Sequence, residues 1–151
     1  QRKRTEKFIQ SVTDRKLHGK ITIDTGAADT VIPKEALEGV FPILPKKEGV
    51  TFIAANGQRI KNYGRMNVAF NAKGRRGANC MTFHVTDVHK PLASVSKMVE
   101  QGTSVHFTPE GSYIEGVNGG RIELKQEGGV YVMDVKYLQV SVGRCKEVRY
   151  F

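Results

Sequence analysis

Residues 21–33, ITIDTGAADTVIP, are the stretch on which the reading of this chain turns. Ile21 and Ile23 alternate with Thr22 as in a strand with one buried face. The strand runs into Asp24-Thr25-Gly26, followed by small Ala27 and Ala28 and then by apolar Val31-Ile32. Asp, Thr and Gly all favour turns, so a simple strand exit is the plainest reading. That reading leaves a carboxylate between two apolar segments, where desolvation without a partner is costly. A second carboxyl group sharing a proton removes the difficulty. Two such groups about 3 Å apart cannot both ionise, so one pKa rises and the other falls. The pair can hold a water, take its proton as general base and return a proton to an amide. The stretch therefore points to acid–base chemistry at Asp24.

Outward from this point the chain reads as short strands separated by turn residues. On the N-terminal side, 5–12 (TEKFIQSV) and 16–24 (KLHGKITID) are strand candidates joined by Thr13-Asp14-Arg15. On the C-terminal side, PKEALEG (33–39) fits a short helix with Pro33 in its first position and Gly39 as its stop. SVSKMVEQG (94–102) fits a second, with Ser94 or Ser96 as cap and Gly102 as stop. Asn56-Gly57 between 50–55 and 60–70 is a strong hairpin signal. A second hairpin joins 64–70 to 80–87 through the basic loop Lys73-Gly74-Arg75-Arg76-Gly77. After Phe107 the texture becomes a meander: SYIEGV, RIELKQ and VYVMDV, separated by Asn118-Gly119-Gly120 and Gly128-Gly129. The expected architecture is all-β, with one or two short helices. Residues 1–107 form one closed β domain, and 108–151 form a C-terminal β meander that packs on it.

With these pieces in order, the chain resembles the retropepsins, the single-domain aspartic proteases of retroviruses and retrotransposons. The resemblance covers about residues 8–107, and Asp24-Thr25-Gly26 is its most specific part. It implies that Asp24 is the catalytic acid/base, Thr25 the residue that interlocks with its twin across a dimer axis, and Gly26 a close-approach glycine. Ala27, Ala28 and Asp29 would line the substrate cleft. Residues 50–64 (VTFIAANGQRIKNYG) stand where the family has its flap, with Ala55, Asn56 and Gly57 at the tip. A lid of this kind excludes water and strengthens electrostatics in the site. TFHVTD (82–87) resembles the strand leading to the family's second hallmark, an apolar-apolar-Gly turn that opens a helix. Here that place reads Leu92-Ala93-Ser94, with Ala93 and Ser94 facing substrate by resemblance. Three departures stand out. Ser94 replaces a usual glycine. Val95 and Ala28 replace both halves of an ion pair that many members carry, so no orphan charge is left behind. The meander after Phe107 has no counterpart in the minimal family fold.

One Asp-Thr-Gly implies half a site. Asp14, Asp29, Asp87 and Asp134 are the other aspartates, and none precedes Thr/Ser-Gly. The second carboxylate must come from another copy of Asp24 on a two-fold axis. A chain of 151 residues is about half of what two such domains need. The expected species is a homodimer binding an extended peptide or polyprotein by backbone hydrogen bonds along a cleft.

Composition adds bounds. The chain has 39% hydrophobic and 26% charged residues, and its apolar runs are far too short for a membrane span, so no membrane partner is expected. Two cysteines, Cys80 and Cys145, cannot build a disulfide framework and suggest a reducing, cytoplasmic compartment. A start at Gln1 in place of Met leads us to expect a fragment or a processed product. The net charge of +9 leaves nucleic acid open as a partner without requiring it. The basic clusters (Arg2-Lys3-Arg4, Lys46-Lys47, Lys73 with Arg75-Arg76, Arg144 with Lys146 and Arg149) are not interleaved with aromatic residues as a stacking platform would be. Cys80-x3-His84-x4-His89 lacks a fourth ligand, so these read as ordinary strand residues; no metal and no cofactor is expected. Neither Ser94 nor Ser96 sits in a nucleophile elbow.

Three functions are expected, in this order. The first is an aspartic endopeptidase processing a retroelement polyprotein. The second is a noncatalytic retropepsin-like module that binds peptides or proteins. The third is a basic nucleic-acid-binding β domain.

Overall fold

Period-two alternation sets the long strands. In β5 (Asn62–Ala72) Met66, Val68 and Phe70 point into the core, and in β6 (Arg75–Thr86) Met81, Phe83 and Val85 do so. In β12 (Val130–Tyr137) Met133, Val135 and Tyr137 alternate with exposed Asp134 and half-buried Lys136. The computed structural model describes residues 17–54, 56–139 and 149–150. The strand expected over 5–12 lies outside them.

The described residues form a mostly β fold built on one large sheet. Its members are β1 (His18–Asp24), β2 (Val31–Pro33), β5, β6, β7 (Leu92–Ser94), β11 (Lys125–Glu127), β12 and β13 (Arg149–Tyr150). The order is β1-β7-β2-β6-β5-β12, and β12 pairs back to β1 from His18↔Lys136 to Ile23↔Tyr131. That last pairing closes the sheet into a ring. β11 continues beside β12, and β13 pairs parallel with β6.

The ring has one unusual corner. β1 and β2 are joined directly by residues 25–30, yet β7 lies between them, parallel to β1 and antiparallel to β2. The loop 25–30 must therefore arch over the end of β7, where β7 enters α1 (Val95–Glu100). This corner positions the site.

Two small sheets flank the ring: β3 (Phe52–Ile53) with β4 (Arg59–Ile60), and β10 (Arg121–Glu123)-β9 (Tyr113–Glu115)-β8 (Ser104–His106). Ile114 and Ile122 of the second are almost fully buried in the same core cluster as Ile21, Ile32, Phe70 and Met133. Burying such side chains contributes roughly 1.5–3 kcal/mol each, so this sheet is anchored, not merely adjacent.

Several expectations change here. The segment 33–39 is not a helix. Pro33 ends β2, and residues 34–40 form a series of turns closed by Ala36 N–H donating to Pro33 O and Val40 N–H to Leu37 O. Burial of Leu37 and Phe41 fixes these turns to the core, overriding the helical pattern. The second expected helix is α1, capped by Ser94. The basic loop after β5 shrinks to Lys73-Gly74, since Ala72 and Arg75 are already in register. Gly74 takes the positive φ the tight turn needs. RIELKQ is not one strand. It splits at Leu124 into β10 and β11, which join different sheets.

The chain after Phe107 is more than a layer laid on a finished domain. Residue 107 sits at the turn of the β8–β9 hairpin, where Gly111 N–H donates to Thr108 Oγ1, and β12 is a wall of the ring itself. No helix among the described residues is long and apolar enough to cross a membrane.

Candidate active site

Asp24 is the last residue of β1, in register with Ser94 at the end of β7. It is half-buried, and its Oδ1 accepts a hydrogen bond from Gly26 N–H at 2.8 Å. This short Asx-type closure turns the chain immediately after the strand. Thr25 is exposed. At Gly26 a Cβ would meet only Asp24 Oδ1, at 3.4 Å, an ordinary contact. Nothing else among the described residues crowds that position.

Ser94 is the anchor of the corner, and it is fully buried. Its N–H donates to Thr30 Oγ1 at 3.1 Å and its Oγ donates to Ala27 O at 2.7 Å, so both ends of the loop are tied to β7. The same Oγ accepts from Lys97 N–H at 3.2 Å, capping α1. A side chain where the resembled family has glycine is thus used as loop tie and helix cap together. Ser94→Ala should lower stability by about 1–2 kcal/mol, read as a shift in the urea midpoint at constant slope. An unchanged midpoint would remove this role.

The structure brings Asp24, Thr25, Gly26, Ala27, Ala28, Asp29, Ala93 and Ser94 to one corner. Ala93 is fully buried beneath the loop, paired with Ile23, so it supports the corner without surface of its own to offer a ligand. Asp29 is half-buried with Lys97 Nζ at 3.9 Å. Asn56 and Gly57 form the turn of the β3–β4 hairpin, where Gln58 N–H donates to Asn56 Oδ1 and Gly57 takes φ +84°. Ala55 lies outside the described residues. The base of the hairpin leans on the ring through Phe52, whose ring meets His84 edge-on at 5.2 Å.

Two hollows flank the corner. One, of about 370 Å³, lies beside Asp24 and Thr25 and is walled by Leu92, Phe107, Val130 and Tyr131, with Lys90 at its edge. Phe107 and Tyr131 are in ring contact at 4.7 Å. The other, of about 300 Å³, lies beyond Asp29 and Thr30, between the hairpin approach (Lys47, Val50), β5 and β6 (Arg65, Thr82, His84), and α1 (Lys97). The residue pattern alone gives Tyr131 no functional role and makes His84 an ordinary strand residue. Both sit in alternating strands, and His84 is on the face of β6 opposite Phe83 and Val85, which is the signal that places it outside the core.

Burial lowers the pKa of His84 below the usual histidine value, with nearby Arg65, Lys47 and Lys97 acting in the same direction and Asp29 opposing. The folded ring therefore resists a proton that the unfolded ring accepts near pH 6.5. Stability from this residue is present above that pH and is lost as pH falls below it. His84→Gln should flatten the fall in stability below about pH 6.5 in thermal unfolding; an unchanged slope would contradict it.

Among the described residues no group of three or more His, Cys, Asp or Glu side chains is placed to hold a metal ion, and Cys80 is buried in β6. No family model, no curated protein and no solved structure matches this chain.

Proposed function

We propose that the chain is one half of an aspartic endopeptidase, completed when two copies bring their Asp24 residues together on a two-fold axis, and that its substrate is an extended peptide within a retroelement-type polyprotein. The observation that carries this reading is the corner itself. A single half-exposed carboxylate ends β1, is oriented by Gly26 N–H, and is followed by an exposed Thr25 and an uncrowded Gly26. The Gly26 hydrogen bond that turns the chain also fixes this carboxyl, and a pair sharing one proton uses such fixing because its geometry sets the two pKa values apart.

In this mechanism the ionised member of the pair takes a proton from a water held between the two carboxyls. The water oxygen attacks the scissile carbonyl while the protonated member gives its proton to the carbonyl oxygen. The member that took the water's proton then passes it to the leaving amine, and the gem-diol returns a proton to the other carboxylate as the C–N bond breaks. No covalent enzyme intermediate forms. The β3–β4 hairpin closes over the peptide and excludes bulk water. Localisation in the cytoplasm is part of the same reading.

The reading is tested with a broad peptide library between mildly acid and neutral pH. Cleavage is expected, blocked by a statine-type inhibitor, and the rate per chain should fall on dilution as dimers dissociate. A purified dimer that cleaves nothing across that range would overturn it and leave a peptide-binding module in its place.

A further inference from the structure

The hollow beyond Asp29 carries an unbalanced charge. Its lining includes three cationic side chains, Lys47, Arg65 and Lys97, against one carboxylate, Asp29. That carboxylate is already engaged by Lys97 at 3.9 Å, and Lys97 also reaches Glu100 at 3.7 Å. Among the described residues no carboxylate pairs with Lys47 or Arg65. Arg65 is held in place: its Nε donates to Pro45 O at 3.0 Å, and its backbone forms a two-bond bridge with Leu44. A fixed guanidinium presents its remaining donors without further loss of side-chain freedom.

Behind the wall of the hollow lies a polar atom without a partner among the described residues. His84 Nδ1 is shielded from solvent and hydrogen-bonds to nothing among the described residues. A shielded polar atom of this kind costs stability unless something meets it. Thr82 does not serve, because its hydroxyl donates to Asn67 Oδ1 at 2.7 Å. The hollow is thus roomy and net positive, lined by one immobilised guanidinium and by the His84 side chain, and it opens beside the loop that follows Asp24.

We infer that this hollow is a subsite for the carboxylate of an acidic side chain, so that the chain selects peptides with Glu or Asp close to the cleaved bond. The inference deepens the endopeptidase reading and rests on it for the word substrate. The carboxylate recognition itself does not depend on catalysis. Arg65 and Lys47 supply charge-assisted hydrogen bonds, which are stronger than neutral ones. Lys97 remains divided between Asp29 and Glu100, and a bound carboxylate competes for it. A glutamine side chain has the same shape but no charge to offer, so it is the matched control.

Two measurements keep the subsite and the chemistry apart. In the first, paired peptides differing only in Glu against Gln near the cleaved bond are compared by kcat/KM. The Glu peptide should be preferred about tenfold, as expected for a charge-assisted contact, and Lys47→Glu should bring the ratio near one. Cleavage of both peptides at equal rates would overturn the subsite while leaving the endopeptidase reading standing. The second measurement needs no cleavage. Asp24→Asn protein is titrated with N-acetyl-glutamate methylamide and, separately, with N-acetyl-glutamine methylamide, followed by amide and imidazole resonances. Saturable shifts confined to His84, Arg65 and Lys97, seen with glutamate alone, support the subsite even if no peptide is ever cut. Shifts that are equal for both ligands, or spread over all basic residues and abolished by physiological salt, overturn it.

Discussion

Replacing Asp24 by Asn should abolish peptide hydrolysis, with a loss of at least about a thousandfold, the scale of a positioned general acid–base group. The substitution keeps the size and the acceptor oxygen that Gly26 N–H uses, so the corner is expected to fold unchanged. It removes only the ability to ionise. Dimers carrying one Asn should be as inactive as those carrying two, because an amide cannot share a proton as a carboxyl does. Mixing equal amounts of the two proteins and letting them exchange leaves about a quarter of the dimers fully wild-type. Activity per wild-type chain should therefore fall by about half. Activity that stays constant on mixing would mean that one chain holds a complete site. Retention of hydrolysis in the Asn protein would remove Asp24 from the chemistry altogether.

The largest structural effect is expected at Gly64. Its φ is +140°, a conformation that residues with a Cβ rarely adopt. A Cβ there would lie 2.1 Å from Leu44 O and 2.8 Å from Ile43 Cγ2. The first of these is backbone, so relief requires pulling the 43–45 segment off the sheet. That breaks the pair of hydrogen bonds between Leu44 and Arg65, 2.7 and 2.9 Å, and loosens the carbonyl of Pro45 that holds the Arg65 guanidinium. Strain of this kind costs about 1–3 kcal/mol, and two lost backbone bonds add about 1 kcal/mol each. Gly64→Ala should destabilise the protein by about 3 kcal/mol or more in denaturant unfolding. A cost below about 1 kcal/mol, no more than one lost backbone bond, would show that the bridge is not held by this glycine.

Much of this molecule is legible in its residues, and the limits of that legibility have physical causes. Alternating apolar positions in β5, β6 and β12 and the Asn56-Gly57 turn are local signals, and the strands and hairpin obey them. The Asp24 stretch is legible as a strand end, because β1 alternates up to Asp24 and Asp-Thr-Gly turns the chain after it. The 33–39 segment misleads because Leu37 and Phe41 are claimed by a core assembled from distant strands, which outweighs a weak helical preference. RIELKQ looks continuous because nothing in its own residues marks Leu124 as the point where one sheet ends and another begins. Ser94 stands out in the sequence only as a departure from a familiar pattern. Its double duty needs Ala27 and Thr30, far away in sequence, to be visible. The basic hollow is hidden for the same reason. Lys47, Arg65, His84 and Lys97 belong to four separate stretches and meet only after the ring has formed.

The pairing of β12 with β1 also orders events in time. β1 is synthesised well before β12, the strand that covers its outer edge. Until that later strand has been made, β1 keeps one row of backbone donors and acceptors open, and the carboxylate at its tip has no finished wall beside it. Contacts between such distant segments form late, because loop closure must come before any gain from them. A protein that cuts peptides would thus stay unarmed until its closing strand has emerged. Under the endopeptidase reading proposed above, that strand spaces the appearance of the activity from the emergence of the residue assigned to it.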